Sequence, residues 1–325
     1  MQFQPYITFV VVARNDNYGG DFLCRINTFT KNIINLCEKH CLPSELVVVE
    51  WNPPQDRPPI KNDISWPDIE RKYCTIRIIE VPNEVHKRIP NPEKMHLFEY
   101  IGKNVGVRRA RGEYILTTNP DTLFSDELIE FLAMRKLSRK CFYRIDRHDV
   151  KMPIPVETVE NQLRYCQENV IRIYGYFWSY YDRKTSGRYW RLRQARSLVG
   201  YLNSRIRIFP FAPLHSSASG DFLLMHRDRW QIMRGFAELE TQGNSQHIDS
   251  LAVRMAQLSG LRQIILKYPL RLYHQDHNRP DPDRLMSPAV REAFEELRKA
   301  RNLRELVTFN NKWGLEEESL TELGV

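Results

Sequence analysis

Five polar groupings in this sequence carry side chains able to do chemistry: Arg14-Asn15-Asp16, Glu50, Asn119-Pro120-Asp121, Asp249 and His274-Gln275-Asp276-His277. Asp121 follows an apolar run and precedes a helix expected near Ser125. A carboxylate there either caps that helix or gives an oxygen ligand to a hard divalent cation, which offsets charge developing on a phosphorylated leaving group. Asp249 lies in the first turn of a predicted helix, where the macrodipole alone favours an acid. It also falls off that helix's apolar stripe, so a general base facing a cleft is the alternative. His274 and His277 flank Asp276 after an extended stretch. Each is either a surface or hydrogen-bonded core histidine or a ligand for manganese-like ions, which imidazole suits, with His274 the favoured one. Glu50, beside Trp51, ends a strand, and a buried acid there also suits an imide or a ribose hydroxyl. Arg108 and Arg111 share a helix face that either meets solvent or lets one of them reach a diphosphate.

Such groups need strands that end beneath them. Residues 7–13 are continuously apolar, as in a strand covered on both faces. They run into the polar turn 14–20, followed by a predicted helix at 22–39 and strands at 46–50 and 75–81, with Pro53-Pro54 and Pro58-Pro59 breaking the chain between the strands. The helix predicted at 99–111 sets Ile101 and Val105 on one face and Asn104, Arg108 and Arg111 on another, with Gly112 as its stop. A fourth strand is expected at 114–118. This alternation predicts an α/β fold with a largely parallel sheet, whose ligands sit beyond the carboxyl ends of the strands. Arg14, Asp16, Glu50, Asn119 and Asp121 all fall at such ends. The second half is less regular: a strand at 222–226, a helix at 247–258 burying Ile248, Leu251, Ala252 and Met255, an extended stretch at 264–273 and a helix at 289–301.

A chain of 325 residues accommodates one large domain or two small ones. It has no P-loop, no Gly-x-Gly-x-x-Gly and no Gly-x-Ser-x-Gly, and residues 274–277 are not the helical metalloprotease pattern. ATPases, dinucleotide enzymes and α/β-hydrolases are thereby disfavoured. No basic stretch precedes residues 7–13, and no apolar run approaches the roughly 20 residues of a membrane helix, so neither a secretory signal nor a span is expected. Six cysteines over this length imply free thiols in a reducing compartment, hence the cytoplasm. Cys37 and Cys41 share a helix face without a second pair to complete a zinc site, and read as small buried hydrophobes.

The order of these pieces resembles the GT-A glycosyltransferases, particularly the large family-two-like group, over roughly residues 6–277 with 164–209 unmatched. In that group the turn after the first strand touches the nucleotide, here Arg14-Asn15-Asp16, and the acid ending the second strand binds base or ribose, here Glu50. A helix of the form Arg-Asn-x-Gly…Ala-x-Gly-Glu-Tyr follows, here Lys103-Asn104-Val105-Gly106 and Ala110-Arg111-Gly112-Glu113-Tyr114. The Asp-x-Asp element corresponds to Asn119-Pro120-Asp121. The resemblance further makes Ser219-Gly220-Asp221 the glycine loop at the acceptor, His247-Ile248-Asp249 the motif supplying the base, and His274 the C-terminal metal ligand. Asn311-Lys312-Trp313-Gly314 matches a common C-terminal piece. Two departures stand out. Asn119 removes one negative charge from the cation site, leaving Asp121 as the direct ligand and Asn119 for ribose or bound water. Lys103 keeps the usual arginine's charge and loses its bidentate geometry.

What the resemblance implies is a GT-A fold: Rossmann-like, with a mixed, mainly parallel sheet flanked by helices. It would form one compact domain with a nucleotide-sugar half (1–145), an acceptor and catalytic half (146–280) and a C-terminal helical extension (281–325). The donor would be a UDP- or GDP-sugar and the acceptor a hydroxyl of a glycan or a lipid-linked glycan. Arg14, Asp16 and Glu50 would hold the nucleotide, Asn104, Arg108 and Asn119 ribose or diphosphate, Asp121 and His274 a Mn²⁺ or Mg²⁺ ion, and Gly220 and Asp221 the acceptor. The family-two likeness favours inversion with Asp249 as base. A retaining enzyme, a nucleotidyltransferase and a non-catalytic nucleotide-sugar-binding module stay open.

The formal charge of +8 is confined to one segment. Between Arg164 and Phe209 ten Lys/Arg face only Glu168 and Asp182, and eleven aromatic residues interleave with them. A helical insertion with a solvated basic face and an aromatic core face is the plain expectation. A surface docking on anionic lipid, peripheral to the cytoplasmic face of a membrane, is the sharper one. The same composition suits single-stranded nucleic acid. No helix-turn-helix, RRM or zinc-finger pattern accompanies it, so no nucleic acid is expected.

Overall fold

The computed structural model of the protein describes residues 4–155, 157–175, 214–240, 246–278, 286–305 and 312–325. Residues 176–209, which carry most of the basic aromatic segment and with it the membrane-docking expectation, lie outside them, as does Asn311.

Strand β1 (Ile7–Ala13) is buried along its whole length. Ile7, Phe9 and Val11 point into one apolar core, Val10 and Val12 into a second on the opposite face. Two-sided burial is why the run is continuously apolar rather than alternating. After β1 come α1 (Phe22–Lys39), β2 (Ser44–Trp51), α2 (Ile60–Asp63), β3 (Cys74–Val81), α3 (Asn83–Arg88), α4 (Glu99–Arg109) and β4 (Tyr114–Thr117). Strands β4, β1, β2 and β3 are neighbours in that order, all parallel. Helix α1 packs on the first core, α4 on the second. The approach of α4 is close: a Cβ on Gly106 would meet Val10 Cγ1 at 2.4 Å, and one on Gly102 would meet Val12 Cγ1 at 2.8 Å. The glycine at i and i+4 is therefore a packing requirement of this helix. It ends at Arg109, short of the expected 111, where Ala110 turns extended (ψ 139°).

The remaining elements are β5 (Thr122–Phe124), α5 (Asp126–Ala133), β6 (Cys141–Ile145), β7 (Arg147–Val150), α6 (Val159–Glu168), β8 (Val170–Tyr174), β9 (Leu223–His226), α7 (Arg227–Met233), α8 (Ile248–Leu258), β10 (Arg262–Leu266), β11 (Leu272–Gln275), α9 (Pro288–Lys299) and β12 (Thr321–Gly324). The protein is thus a mixed α/β structure with a mainly parallel central sheet, ordered β10-β6-β9-β4-β1-β2-β3-β12 and flanked by helices. Strand β9 is wedged antiparallel between β4 and β6, so chain from before and after residue 146 shares one sheet. A second sheet, β5-β11-β7-β8, stands beyond the carboxyl end of β4.

Three expectations are corrected. Residues 264–273 are not one extended stretch: β10 joins the large sheet, β11 the small one, with a turn closed by Leu270 N to Lys267 O (3.0 Å) between them. The described start of the segment 164–209 is the end of α6 followed by strand β8, and the remainder, on which the expectation of a helical insertion falls, lies outside the described residues. The C-terminal extension is not helical throughout, because β12 closes the edge of the large sheet against β3. Cys37 is buried, but Cys41 lies past the end of α1 in a left-handed conformation (φ 50°) and is exposed. Among the described residues no helix is long and apolar enough to cross a membrane.

Candidate functional site

Strand β4 leads into β5 through Thr118-Asn119-Pro120-Asp121, a turn pinned by a hydrogen bond between the Thr118 and Thr122 hydroxyls (2.9 Å). Helix α5 takes its cap from Ser125, whose Oγ accepts Leu128 N (3.3 Å), so the capping role does not fall to Asp121. Strand β5 pairs antiparallel with β11, setting His274 opposite Thr122, and Gln275 N donates to Asp121 O (2.9 Å). The ladder itself delivers a histidine beside the carboxylate. His274 Nε2 lies 3.6 Å and His277 Nε2 3.2 Å from Asp121 Oδ2. The three ligand atoms fall within 4.8 Å of one another.

Each imidazole is oriented from behind. His274 Nδ1 lies 3.3 Å from Asp149 Oδ1, off the ideal hydrogen-bond line, and His277 Nδ1 faces Asn278 O at 3.0 Å. An acceptor at Nδ1 keeps a proton there, so that Nε2, beside Asp121, is the nitrogen that can give up its proton and bind a cation. Asp149 reaches this position through the parallel β7–β11 register, in which it pairs with His274. Asp121 Oδ1 is buried with no hydrogen-bond partner among the described residues. One open carboxylate oxygen and two convergent imidazoles fit a divalent ion of the manganese type, whereas a magnesium site would be all oxygen. Burial alone would raise the Asp121 carboxyl, but His274 and His277 outweigh it and hold the group well below the usual carboxylate range. Burial would likewise lower His274; Asp121, with help from Asp149, lifts it instead to about 9.

Beside this cluster opens a cleft of about 390 Å³. Arg14, Asp16, Tyr18, Arg25 and Lys94 line it together with Asn119 and Asp121. Arg14 bridges Asp16 (2.7 Å) and Asn52 O (2.8 Å). Arg25 is 3 % exposed; its guanidinium donates to Tyr18 O and Gly20 O, while its Nε is buried without a partner among the described residues. The turn that it clasps lies on the cation cluster. A Cβ on Gly19 would sit 2.4 Å from His277 Nδ1, and the backbone there is left-handed (φ +70°), so glycine is needed on both counts. Exposed Tyr18 sets its ring edge-on to His277 at 5.8 Å.

On the other side of Asn119 lies a second polar group. Lys103, fully buried, donates to Glu99 Oε1 (2.6 Å), Asn119 Oδ1 (2.7 Å) and Gly220 O (2.8 Å). Asn119 Nδ2 donates to Asp221 Oδ1 (2.7 Å), and Arg147 Nη1 donates to Asp221 Oδ2 (2.7 Å). Asp249, half-buried in the first turn of α8, accepts Ser219 Oγ (2.8 Å) and Gly220 N (2.9 Å) on Oδ2, and Ser250 N (2.8 Å) on Oδ1.

Four expected site residues are placed elsewhere than the sequence suggests. Asn104 is fully buried and spent on the segment 236–238, donating to Phe236 O (2.9 Å) and Glu238 Oε1 (2.8 Å) and accepting Phe236 N (2.7 Å), so it does not meet ribose or diphosphate. Arg108 pairs with Glu316 and lies over the Trp313 ring at 4.9 Å, away from the cleft wall. Glu50 is buried off the cleft, accepting Ile60 N (2.8 Å) at the start of α2, and burial pushes its carboxyl up to about 7. Asp221 is 4 % exposed, and each of its oxygens already accepts a hydrogen bond, from Asn119 and from Arg147, so it serves the clasp around Asn119 rather than lining the cleft. Arg14, Asp16, Asn119, Asp121 and His274 do come together. Sequence reasoning left His277 open and missed Arg25, Lys94 and Asp149. The i, i+3 spacing across the end of β11 was a usable signal for His277.

Fold and site together define a mixed α/β protein with a cleft lined by both cationic (Arg14, Arg25, Lys94) and acidic (Asp16, Glu99, Asp121) side chains and a candidate divalent-cation cluster beyond the carboxyl ends of its parallel strands. No family model and no curated relative matches the chain. Among solved structures it is similar to the crystal structure of S. aureus TarS, at 14% identity and TM-score 0.42 over 83% of this chain and 36% of that one. It is similar also to S. aureus TarS 1-349, at 15% identity and TM-score 0.42 over 83% of this chain and 60% of that one. The chain therefore spans less than two thirds of either structure. Likeness at this level carries no information on reaction or substrate.

Proposed function

We propose that the protein is a GT-A-type glycosyltransferase that moves a sugar from a nucleoside-diphosphate donor to an acceptor hydroxyl with the help of a divalent cation. The observation behind this reading is the meeting of Asp121, His274 and His277 beside a cleft whose charged wall includes Arg14, Arg25 and Lys94. A bound cation would neutralise charge on the diphosphate leaving group. Asp121 and the two Nε2 atoms would hold it, with Asp149 and Asn278 O fixing the rings from behind. Arg25, already tied to the 18–20 turn at the cleft wall, would set its positive charge beside the phosphates, and Arg14 with Asp16 would meet the nucleotide.

Asp249 as base gives inversion, and its place at the start of α8 beside the Ser219–Asp221 turn supports that role. The hydrogen bonds it already accepts favour a second reading for this residue alone, an anchor for that turn. The acceptor is a glycan or a lipid-linked glycan.

A thermal-shift screen of UDP- and GDP-sugars with and without Mn²⁺ tests the proposal. Mn²⁺-dependent stabilisation by one donor class, lost in Asp121→Ala, is expected. No shift with any nucleotide-sugar would refute it. With a donor in hand, release of nucleoside diphosphate rather than pyrophosphate separates glycosyl transfer from nucleotidyl transfer. The product anomer, read by NMR, decides Asp249's part: retained configuration removes it as base.

A further inference from the structure

The amide of Asn119 is used at both ends. Its Oδ1 accepts the Lys103 ammonium and its Nδ2 donates to the Asp221 carboxylate. Both partners are already engaged elsewhere. Lys103 spends its three protons on three acceptors, and Asp221 gives its other oxygen to Arg147. Both partners are almost wholly out of solvent, at 0 % and 4 % exposure, so charges there are poorly screened. An aspartate at 119 would satisfy Lys103 but set two carboxylates against each other at hydrogen-bond distance with no proton between them. The surroundings are built for an amide.

The same three residues join two parts of the site. Lys103 ties Asn119 to Gly220 O, while the Gly220 amide and the Ser219 hydroxyl hold Asp249. Asn119 stands two residues from Asp121. The turn bearing the cation ligand and the turn that holds Asp249 are thus joined through this amide, beside the Thr118 hydroxyl that donates to Asp221 O (2.7 Å).

We propose that Asn119 is a positioning residue required as an amide: with Lys103 and Asp221 it clasps the Asn119–Asp121 turn to the Ser219–Asp221 turn, and it is not a weakened metal ligand. The proposal deepens the glycosyltransferase reading, and its metal arm rests on that reading.

The test is a cycle of four full-length proteins: wild type, Asn119→Asp, Asp221→Asn and the exchange variant Asn119→Asp/Asp221→Asn. The exchange keeps every donor–acceptor pair in kind. A carboxylate at position 119 accepts from Lys103 and from an amide at position 221, and the oxygen of that amide accepts from Arg147. In metal-free urea unfolding, each single variant should lose stability, and the exchange should be more stable than the sum of the singles by about tenfold in the folding equilibrium, typical of residues in contact. Calorimetric Mn²⁺ titration should show weaker binding in Asn119→Asp and recovery in the exchange variant. Additive stabilities, with Asn119→Asp as stable as wild type and binding Mn²⁺ more tightly, would overturn the clasp and make residue 119 a spare ligand position. Failure of both Asn119→Asp and the exchange to fold would overturn it as well. Absence of Mn²⁺ binding by the wild type would sink the cation reading, while the metal-free cycle would still decide the clasp.

Discussion

Lys103 and Asn104 are neighbours on α4, yet they enter polar clusters of opposite kinds. The Asn104 cluster is closed: both amide atoms are bonded, and Glu238 Oε1, which accepts from Asn104, also accepts Gly314 N (2.8 Å). It joins α4, the 236–238 segment and the C-terminal chain around Trp313. The Lys103 cluster runs through Asn119, Asp221, Arg147, Asp149 and His274 to Asp121, and there it ends on an oxygen without a partner among the described residues. Buried polar groups are ordinarily bonded, so an open valence at the end of a network points to a ligand, and a closed network points to a joint. Asn104 had the better motif and Asp121 the open oxygen.

That contrast breaks if the closed cluster moves metal binding or the open one does not. Asp121→Ala should cost more than about 100-fold in Mn²⁺ affinity by calorimetry, beyond the roughly 10- to 100-fold typical of outer-shell partners. Asn104→Ala should cost about 3 kcal/mol in urea unfolding, through lost bonds and unpaired backbone groups at Phe236, while leaving Mn²⁺ affinity unchanged. Asp149→Asn, which reaches the ion through His274 and also loosens the Arg147 pair, should lower Mn²⁺ affinity by about 10- to 100-fold. Arg108→Ala, at the edge of the closed cluster, should cost about 0.5 to 1 kcal/mol in stability and nothing in metal or donor binding.

The pH dependence sharpens the same contrast. His274 is raised from 6.5 to about 9 in the metal-free fold. Its contribution to stability is therefore whole below about pH 6.5 and is lost as pH rises through about 9. The difference in thermal midpoint between wild type and His274→Gln should shrink across that window. Mn²⁺ affinity should rise over the same range, since the ring must lose its proton to bind.

Much of the framework was legible because it is local. Two-sided burial wrote itself into the continuous apolar run of residues 7–13. The turn at Asp121 was legible as a strand end, and the bonds of Ser125 now remove its capping alternative. What could not be read depends on register between distant strands. Asp149 meets His274 only because β7 runs beside β11, and Lys103 meets Gly220 across more than a hundred residues. Asn104 and Arg108 misled for a related reason. Their helix face was visible, but the segments covering it, 236–238 and 313–316, come from far along the chain.

Two imidazoles at one cation are what the proposed function needs most. Electron spin echo envelope modulation of the Mn²⁺-loaded protein reads coordinated histidine nitrogen. Two nitrogen couplings should appear in the wild type, falling to one in His277→Gln and one in His274→Gln. A wild-type spectrum without histidine nitrogen would mean that the ion binds elsewhere, and the site described here would not be its home.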